Sequence, residues 1–237
     1  MRRILASFAV LAMLGPAQLA RGQTVDLELV LLADASRSID DAEIRFQRQG
    51  YAEAITDPAV VAAMTSAGRV ALAYVEWGDH RNQHLVAGWT VIEDAAEAEA
   101  FAAELLAAPR RARGSNGLGA ALLTGLRQIK ANGLDGLRRV IDFSADSASN
   151  FNGPAIAEAR DEVLAAGVSI NGLAVLCRDC PTGRPVSYDL EHAFAETIIG
   201  GPGSFVLTVD SAESFAAAVR RKLILEIAGE LPALARR

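Results

Sequence analysis

The chain has 237 residues, 51% hydrophobic and 22% charged, with 29 Asp and Glu against 23 Lys and Arg for a formal charge of −6. A chain of this length can bury a sizeable core and falls within the range of one α/β domain. The acidic balance and the lack of a Lys/Arg cluster argue against nucleic acid or an anionic lipid surface as the main partner, and no run beyond the N-terminus is apolar for long enough to span a bilayer.

Arg2 and Arg3 precede an apolar run from Ile4 to Leu14 and a looser stretch from Gly15 to Gly22, which is the pattern of a signal peptide. Ala20 and Gly22 suit the small-residue positions of a cleavage before Gln23. Residues 1–22 are therefore expected to be the leader and 23–237 one exported domain, periplasmic or secreted, with no stable membrane insertion after cleavage. An uncleaved anchor is the alternative, for which the apolar run is short.

Next, Val25 to Ala33 is a nearly continuous apolar run suited to a central strand covered on both faces. A helix is expected from about Asp40 to Thr56. Arg69 to Trp77 and His84 to Thr90 read as an antiparallel strand pair joined by the polar turn Gly78 to Gln83. Asp94 to Ala108 is an alanine-rich helix with Asp94 as its cap, and Gly117 to Ala131 is another. Arg139 to Phe143 is a short strand feeding a polar loop, Ser144 to Gly153, before a helix with Pro154 in its first turn. Val168 to Leu176 is a further strand, Arg178 to Tyr188 a loop and Leu190 to Ile198 a short helix. Ser204 to Val209 is the last strand and Ser211 to Gly229 the last helix. The alternation predicts a doubly wound, mainly parallel α/β sheet of about six strands with one antiparallel edge strand and helices on both faces.

Cys177 and Cys180 are separated by two residues, and in an exported chain a local Cys177–Cys180 disulfide is the expected state. A thioredoxin-like redox pair is the alternative, but Pro181, Thr182, Gly183 and Pro185 follow where such a pair would open a helix. Zinc would need two further ligands nearby.

At the end of the first strand stands Asp34-Ala35-Ser36-Arg37-Ser38, where ligands bind in open α/β sheets. One carboxylate and two hydroxyls alternating in a turn can face a common centre, and hard cations take oxygen ligands; a plain helix cap is the other reading. The Asp-x-Ser-x-Ser spacing resembles the metal-ion-dependent adhesion site of von Willebrand factor A domains, which adds a threonine and an aspartate from two further loops. Asp146 matches the aspartate. In the loop Gly114 to Leu122, Asn116 stands in the threonine position and Ser115 could serve with a one-residue shift; either offers a neutral oxygen. Asp142, inside its strand, reads as structural.

Further segments, including Glu76-Trp77, Gly88-Trp89-Thr90, Arg138 to Asp142, Asn150 to Gly153, Ile170 to Leu173, Ile199 to Phe205 and Arg220 to Gly229, resemble the bacterial family called domain of unknown function 1194. The resemblance covers nearly the whole exported part and implies a von Willebrand factor A-like, Rossmann-type fold. The likeness of the three loops to the adhesion site implies a divalent cation, magnesium or else manganese or calcium, held by Asp34, Ser36, Ser38, Asp146 and Asn116 or Ser115. The expected partner is a protein offering an acidic side chain, which Arg37 could orient; a merely solvated Arg37 is equally open.

A metal-independent scaffold is the second reading and a metal-dependent phosphoryl-transfer enzyme the third. A non-enzyme is preferred, because no paired carboxylate with an acid or base partner and no nucleophile elbow is evident. Trp77 and Trp89 read as packing, His80, His84 and His192 as lacking a nucleophile partner, and Gly114, Gly117 and Gly119 lack the lysine of a phosphate-binding loop.

Overall fold

The computed structural model of the chain describes residues 22–176 and 186–229; the expected leader and the Cys177–Cys180 pair lie outside the described residues. In chain order the elements are β1 (Gln23–Asp34), α1 (Asp41–Thr56), α2 (Pro58–Ala67), β2 (Val70–Trp77), β3 (Gln83–Ile92), α3 (Ala95–Ala107) and α4 (Leu118–Ala131). There follow β4 (Leu134–Ala145), α5 (Ile156–Ala165), β5 (Ser169–Val175), α6 (Leu190–Thr197), β6 (Val206–Val209) and α7 (Ala212–Ala228). The six strands lie in the order β3-β2-β1-β4-β5-β6, all parallel except β3, which pairs antiparallel with β2 at the edge.

The nearly continuous apolar run of β1 follows from coverage on both faces. Leu27, Leu29, Leu31 and Ala33 face one layer with Tyr51 and Ile55 of α1, Val60 and Met64 of α2, Phe101 and Leu105 of α3, and Val219 and Leu223 of α7. Val30 and Leu32 face the other layer with Leu122 and Leu126 of α4, Val163 of α5 and Phe194 of α6. Side chains alternate along a strand, so every residue of a doubly covered strand has apolar neighbours.

Three elements differ from the sequence expectation. Residues 57–67 contain α2: Asp57 accepts from the Ala59 N–H at 2.8 Å, Pro58 suits the first turn, and Val60 and Met64, one turn apart, are buried. Second, β4 starts at Leu134, five residues ahead of the expected Arg139. Its first half pairs with Gln23 to Val25 of β1 and is tied by Glu28, which accepts from Gly136 N and Asn132 Nδ2, both at 2.6 Å. Leu137 there is 74% exposed, so that half lacks the apolar pattern that marks a buried strand. Third, α5 begins at Ile156 rather than at Pro154, whose carbonyl is taken by Asn150 Nδ2 at 2.9 Å.

A buried polar cluster fastens α7 to the sheet. Lys222 Nζ, fully buried, lies 2.8 Å from Asp142 Oδ1 of β4, an ion contact outside hydrogen-bond alignment, and 2.5 Å from Glu226 Oε1. Asn171 of β5 donates to the same Glu226 oxygen at 3.0 Å, and the Phe205 ring centroid is 5.6 Å from the ammonium. Burial and Asp142 push the Glu226 carboxyl up to about 8 against the opposing pull of Lys222.

Candidate metal centre

Asp34, the last residue of β1, sits at the carboxyl end of the sheet between Trp77 of β2 and the end of β4. The chain then turns: Ala35 N donates to the Trp77 carbonyl at 2.8 Å and Ser36 N to Asp34 Oδ1 at 2.8 Å. Asp34 is 2% exposed and Ser36 fully buried; Ser38 is exposed, and its hydroxyl lies 3.3 Å from that of Ser36. Asp34 Oδ2 and Asp146 Oδ1, the latter from the loop after β4, are buried and accept from no donor among the described residues, the two carboxyls being close enough for one to bond the other when protonated.

The two carboxyls share one electrostatic site. Burial, then the Asp146 charge, push Asp34 well above the usual carboxylate range. Asp146 is raised by burial, with a further contribution from Glu43, while the Ser38 hydroxyl pulls the other way. Among the described residues no Lys or Arg donates to either one. A buried and a largely buried carboxyl, each beside a further negative charge and without a cation from the described residues, are unfavourable as ions, which is the physical cause of both shifts.

Three loops are laced together around this pair. Arg37 N donates to the Gly114 carbonyl at 2.7 Å, joining the β1–α1 loop to the loop before α4. Phe151 N donates to the Asn116 carbonyl at 2.8 Å and Asn152 Nδ2 to the Ser115 carbonyl at 3.1 Å, joining that loop to the one after β4. The backbone oxygens of Ser115 and Asn116 each accept one of these bonds, so the loop carrying both candidate side chains is held beside the Asp34 loop. Gly114 has φ +104°, and a Cβ there would meet Asp79 Oδ2 at 2.2 Å, so both its conformation and its packing demand glycine.

The first loop is further fixed by Arg110, which the sequence reading did not single out. Its guanidinium donates to the carbonyls of Ala35 (3.0 Å), Ser36 (3.4 Å) and Ile39 (2.7 Å) and to Asp41 Oδ1 (2.6 Å). Arg48 of α1 forms a buried bidentate pair with Glu76 of β2 at 2.6 and 2.9 Å and also bonds the Ala108 carbonyl, anchoring the segment that carries Arg110.

A model of the family described as "Protein of unknown function (DUF1194)" matches residues 24–231. The chain belongs to this family. Among curated protein sequences none matches it. Among solved structures, proximal thread matrix protein 1 of the mussel byssus is similar at 16% identity and a TM-score of 0.63, over 89% of this DUF1194 chain and 50% of its own. A second structure of that mussel protein, described as having a zinc-occupied MIDAS motif, gives 17% and 0.62, over 89% of this chain and 50% of its own. The von Willebrand factor domain of the pilus tip protein Mfa5 from Porphyromonas gingivalis gives 10% and 0.56, over 88% of this chain and 97% of its own. A von Willebrand factor type A structure from Catenulispora acidiphila gives 13% and 0.57, over 85% and 42%. At these identities the likeness shows the fold, which is von Willebrand factor A-like. The chain spans about half the length of the mussel protein, and less of the Catenulispora one.

The remaining sequence candidates fall in several places. Trp77 is fully buried and stacks on Phe143 at 5.2 Å, while Trp89 is half-buried and packs against the same apolar layer. His80 lies beside the site loops: its backbone N–H and ring Nδ1 both meet Asn152 Oδ1, at 2.7 and 3.0 Å. His192 is exposed on α6. Arg37 is exposed and forms no ion pair with the described residues.

Proposed function

We propose that this DUF1194 domain is a binding module, exported to the periplasm or the cell exterior, that holds a divalent cation in the loop site and uses it to grip an acidic side chain of a protein partner. The observation that carries the reading is the pair of buried carboxyl oxygens, Asp34 Oδ2 and Asp146 Oδ1, on two neighbouring carboxyls that no Lys or Arg among the described residues meets.

The donor set fits such an ion. Asp34, Ser36, Ser38 and Asp146, with the Asn116 amide or the Ser115 hydroxyl, offer oxygen alone, which suits magnesium and also manganese or calcium. The described residues contain no cluster of three or more His, Cys, Asp or Glu, so the anionic ligands of the set are the two carboxylates. With only two anionic ligands, a bound dication keeps net positive charge and an open position for a carboxylate oxygen. Ser36 and Ser38 present the hydroxyls, the Arg110 clamp holds their loop, and Asn116 closes the shell from the second loop. The zinc-occupied motif of the mussel protein supports a divalent ion in this fold. Among the described residues no helix is long and apolar enough to cross a membrane.

Calorimetric titration of the leaderless protein with magnesium, and separately with manganese, tests this. Saturable binding is expected in the parent and none in Asp34→Ala or Asp146→Ala. Magnesium at a hundredfold excess over its Kd should also stabilise the parent by about 2.7 kcal/mol in a melt, an effect removed by chelator. Absence of binding in the parent would leave a metal-free scaffold, the reading that Asn116 in the threonine position favours.

The electrostatics make a second, opposite-signed prediction. Both folded-state pKa values lie above their unfolded values, so without a cation the pair weakens the fold as pH rises above the ordinary carboxylate range. Asp34→Asn keeps an oxygen for the Ser36 N–H and removes one charge. In chelator at pH 7 it should melt higher than the parent by on the order of 1 kcal/mol, a few degrees for a domain this size. With magnesium the order should reverse. An Asp34→Asn variant less stable than the parent in chelator would contradict the account of the carboxyl pair.

A further inference from the structure

Beside the three loops lies an open cleft of about 780 Å³, bordered by Ser36 and Ser115 of the candidate ligand set and by Arg37, Arg113 and His80. Arg37 and Arg113 rise from backbone segments bonded to each other, through Arg37 N and the carbonyl of Gly114, the residue after Arg113. A second tie holds the same segment, from Asp79 N to the Arg113 carbonyl at 3.1 Å. The backbone beneath both arginines is thus held in place, and both side chains are exposed. Arg113 is 62% exposed, and its sole ion contact among the described residues is with Asp41 at 3.8 Å.

Three carboxylates also border the cleft, and each has one oxygen, Oδ1, bonded to the protein's own donors. Asp40 accepts from Ala42 N and Glu43 N at the head of α1. Asp41 accepts from Arg110 at 2.6 Å. Asp79 accepts from Arg81 N and Asn82 Nδ2 at 2.8 and 2.9 Å. Arg110 is likewise used up on loop carbonyls and Asp41. Of the three arginines at the cleft, Arg37 and Arg113 are therefore the two whose guanidinium groups make no hydrogen bond among the described residues.

Resting on the metal-dependent reading above, we infer that this cleft is a second anionic subsite, in which Arg37 and Arg113 receive a second acidic group of the same partner beside the carboxylate that completes the cation's shell. The partner's epitope is accordingly an acidic peptide segment with two carboxylates rather than one. Planar guanidinium groups donate paired hydrogen bonds to a carboxylate, and a single acid on the cation would leave both arginines idle. Their exposure keeps the gain modest and sensitive to salt.

The test uses capped glycine-rich peptides bearing one glutamate, or two glutamates separated by one to five residues, titrated into the magnesium-saturated protein. The best two-glutamate peptide is expected to bind about tenfold more tightly than the one-glutamate peptide at low salt, with the gap closing as salt is raised. In the Arg37→Gln, Arg113→Gln double variant that gap should vanish, and magnesium calorimetry on the same variant checks the cation site directly. Equal binding of the two peptide classes to the parent, with none detectable counting as equal, overturns the subsite, as does a gap that survives in the double variant. If the parent takes up no magnesium, the metal-dependent reading fails first and the subsite falls with it, an outcome distinct from intact magnesium binding without discrimination between peptides.

Discussion

Lys222→Met is expected to lower the unfolding free energy by about 3–5 kcal/mol at pH 7, the cost of leaving a buried charge without its partner. Lys222 is fully enclosed between Asp142 and Glu226, which are 0% and 2% exposed, and Glu226 cannot supply a positive charge in its place. Asn171 satisfies one Glu226 oxygen and none of Asp142's, so Asp142 would be left buried with neither counter-ion nor donor. Removing all three charges at once, as Asp142→Leu, Lys222→Met and Glu226→Met, should recover most of the loss, because apolar groups of similar volume incur no desolvation cost. Urea unfolding of the single and triple variants measures both. A single variant within 1 kcal/mol of the parent would show that the cluster is not the tie between α7 and the sheet that its geometry describes.

The same cluster sets a pH dependence. With one ammonium for two carboxyls, one carboxyl is cheaper to keep protonated, and Glu226, with a pKa of about 8, is that one. Its folded-state value lies above its unfolded value, so the native chain holds the proton more tightly. The stability this contributes is fully present below about pH 4.5 and is lost as pH rises towards 8, after which it levels off. The total change is on the order of 3–5 kcal/mol. Glu226→Gln resembles the protonated acid and should flatten this part of the profile, so that the variant exceeds the parent in stability above pH 8. Urea midpoints of the two proteins at half-unit pH steps give the difference curve. Parallel profiles from pH 5 to 9 would mean that Glu226 is ionised throughout.

Lys222 also illustrates what a periodic pattern holds and what it hides. Phe215, Val219, Leu223 and Ile227 recur at helical spacing on the buried face of α7, and Lys222 and Glu226 fall on the same stripe. The spacing puts two charges on an apolar face. That they are matched by Asp142, about eighty residues earlier on β4, is a consequence of packing that no local window contains.

The candidate centre divides in the same way. Asp34-x-Ser-x-Ser, Asp146 and Asn116 could be named from the sequence because loops at the carboxyl ends of parallel strands converge, and each motif is a few residues long. Arg110 and Arg113 could not. Arg110 reaches carbonyls 71 to 75 residues away, and Arg113 matters through the backbone tie of Gly114 to Arg37. Nor does α2 show in the apolar periodicity, although Asp57-Pro58 marks its start: a ten-residue helix with two buried side chains produces little amphipathic pattern.

By itself, then, the sequence determined the order and type of most elements, the doubly covered character of β1 and the three loops that meet at its end. These are properties of alternation, capping and short motifs, which act over one or two turns of chain. Only the tertiary structure decided which polar groups are satisfied. It showed that Asp34 Oδ2 and Asp146 Oδ1 are buried without partners, that Arg110 is spent on a loop while Arg37 and Arg113 are not, and that Lys222 lies between two carboxyls. Burial and charge pairing depend on residues distant in sequence, and it is the desolvation of those pairs, rather than the identity of any one residue, that sets the site's electrostatics.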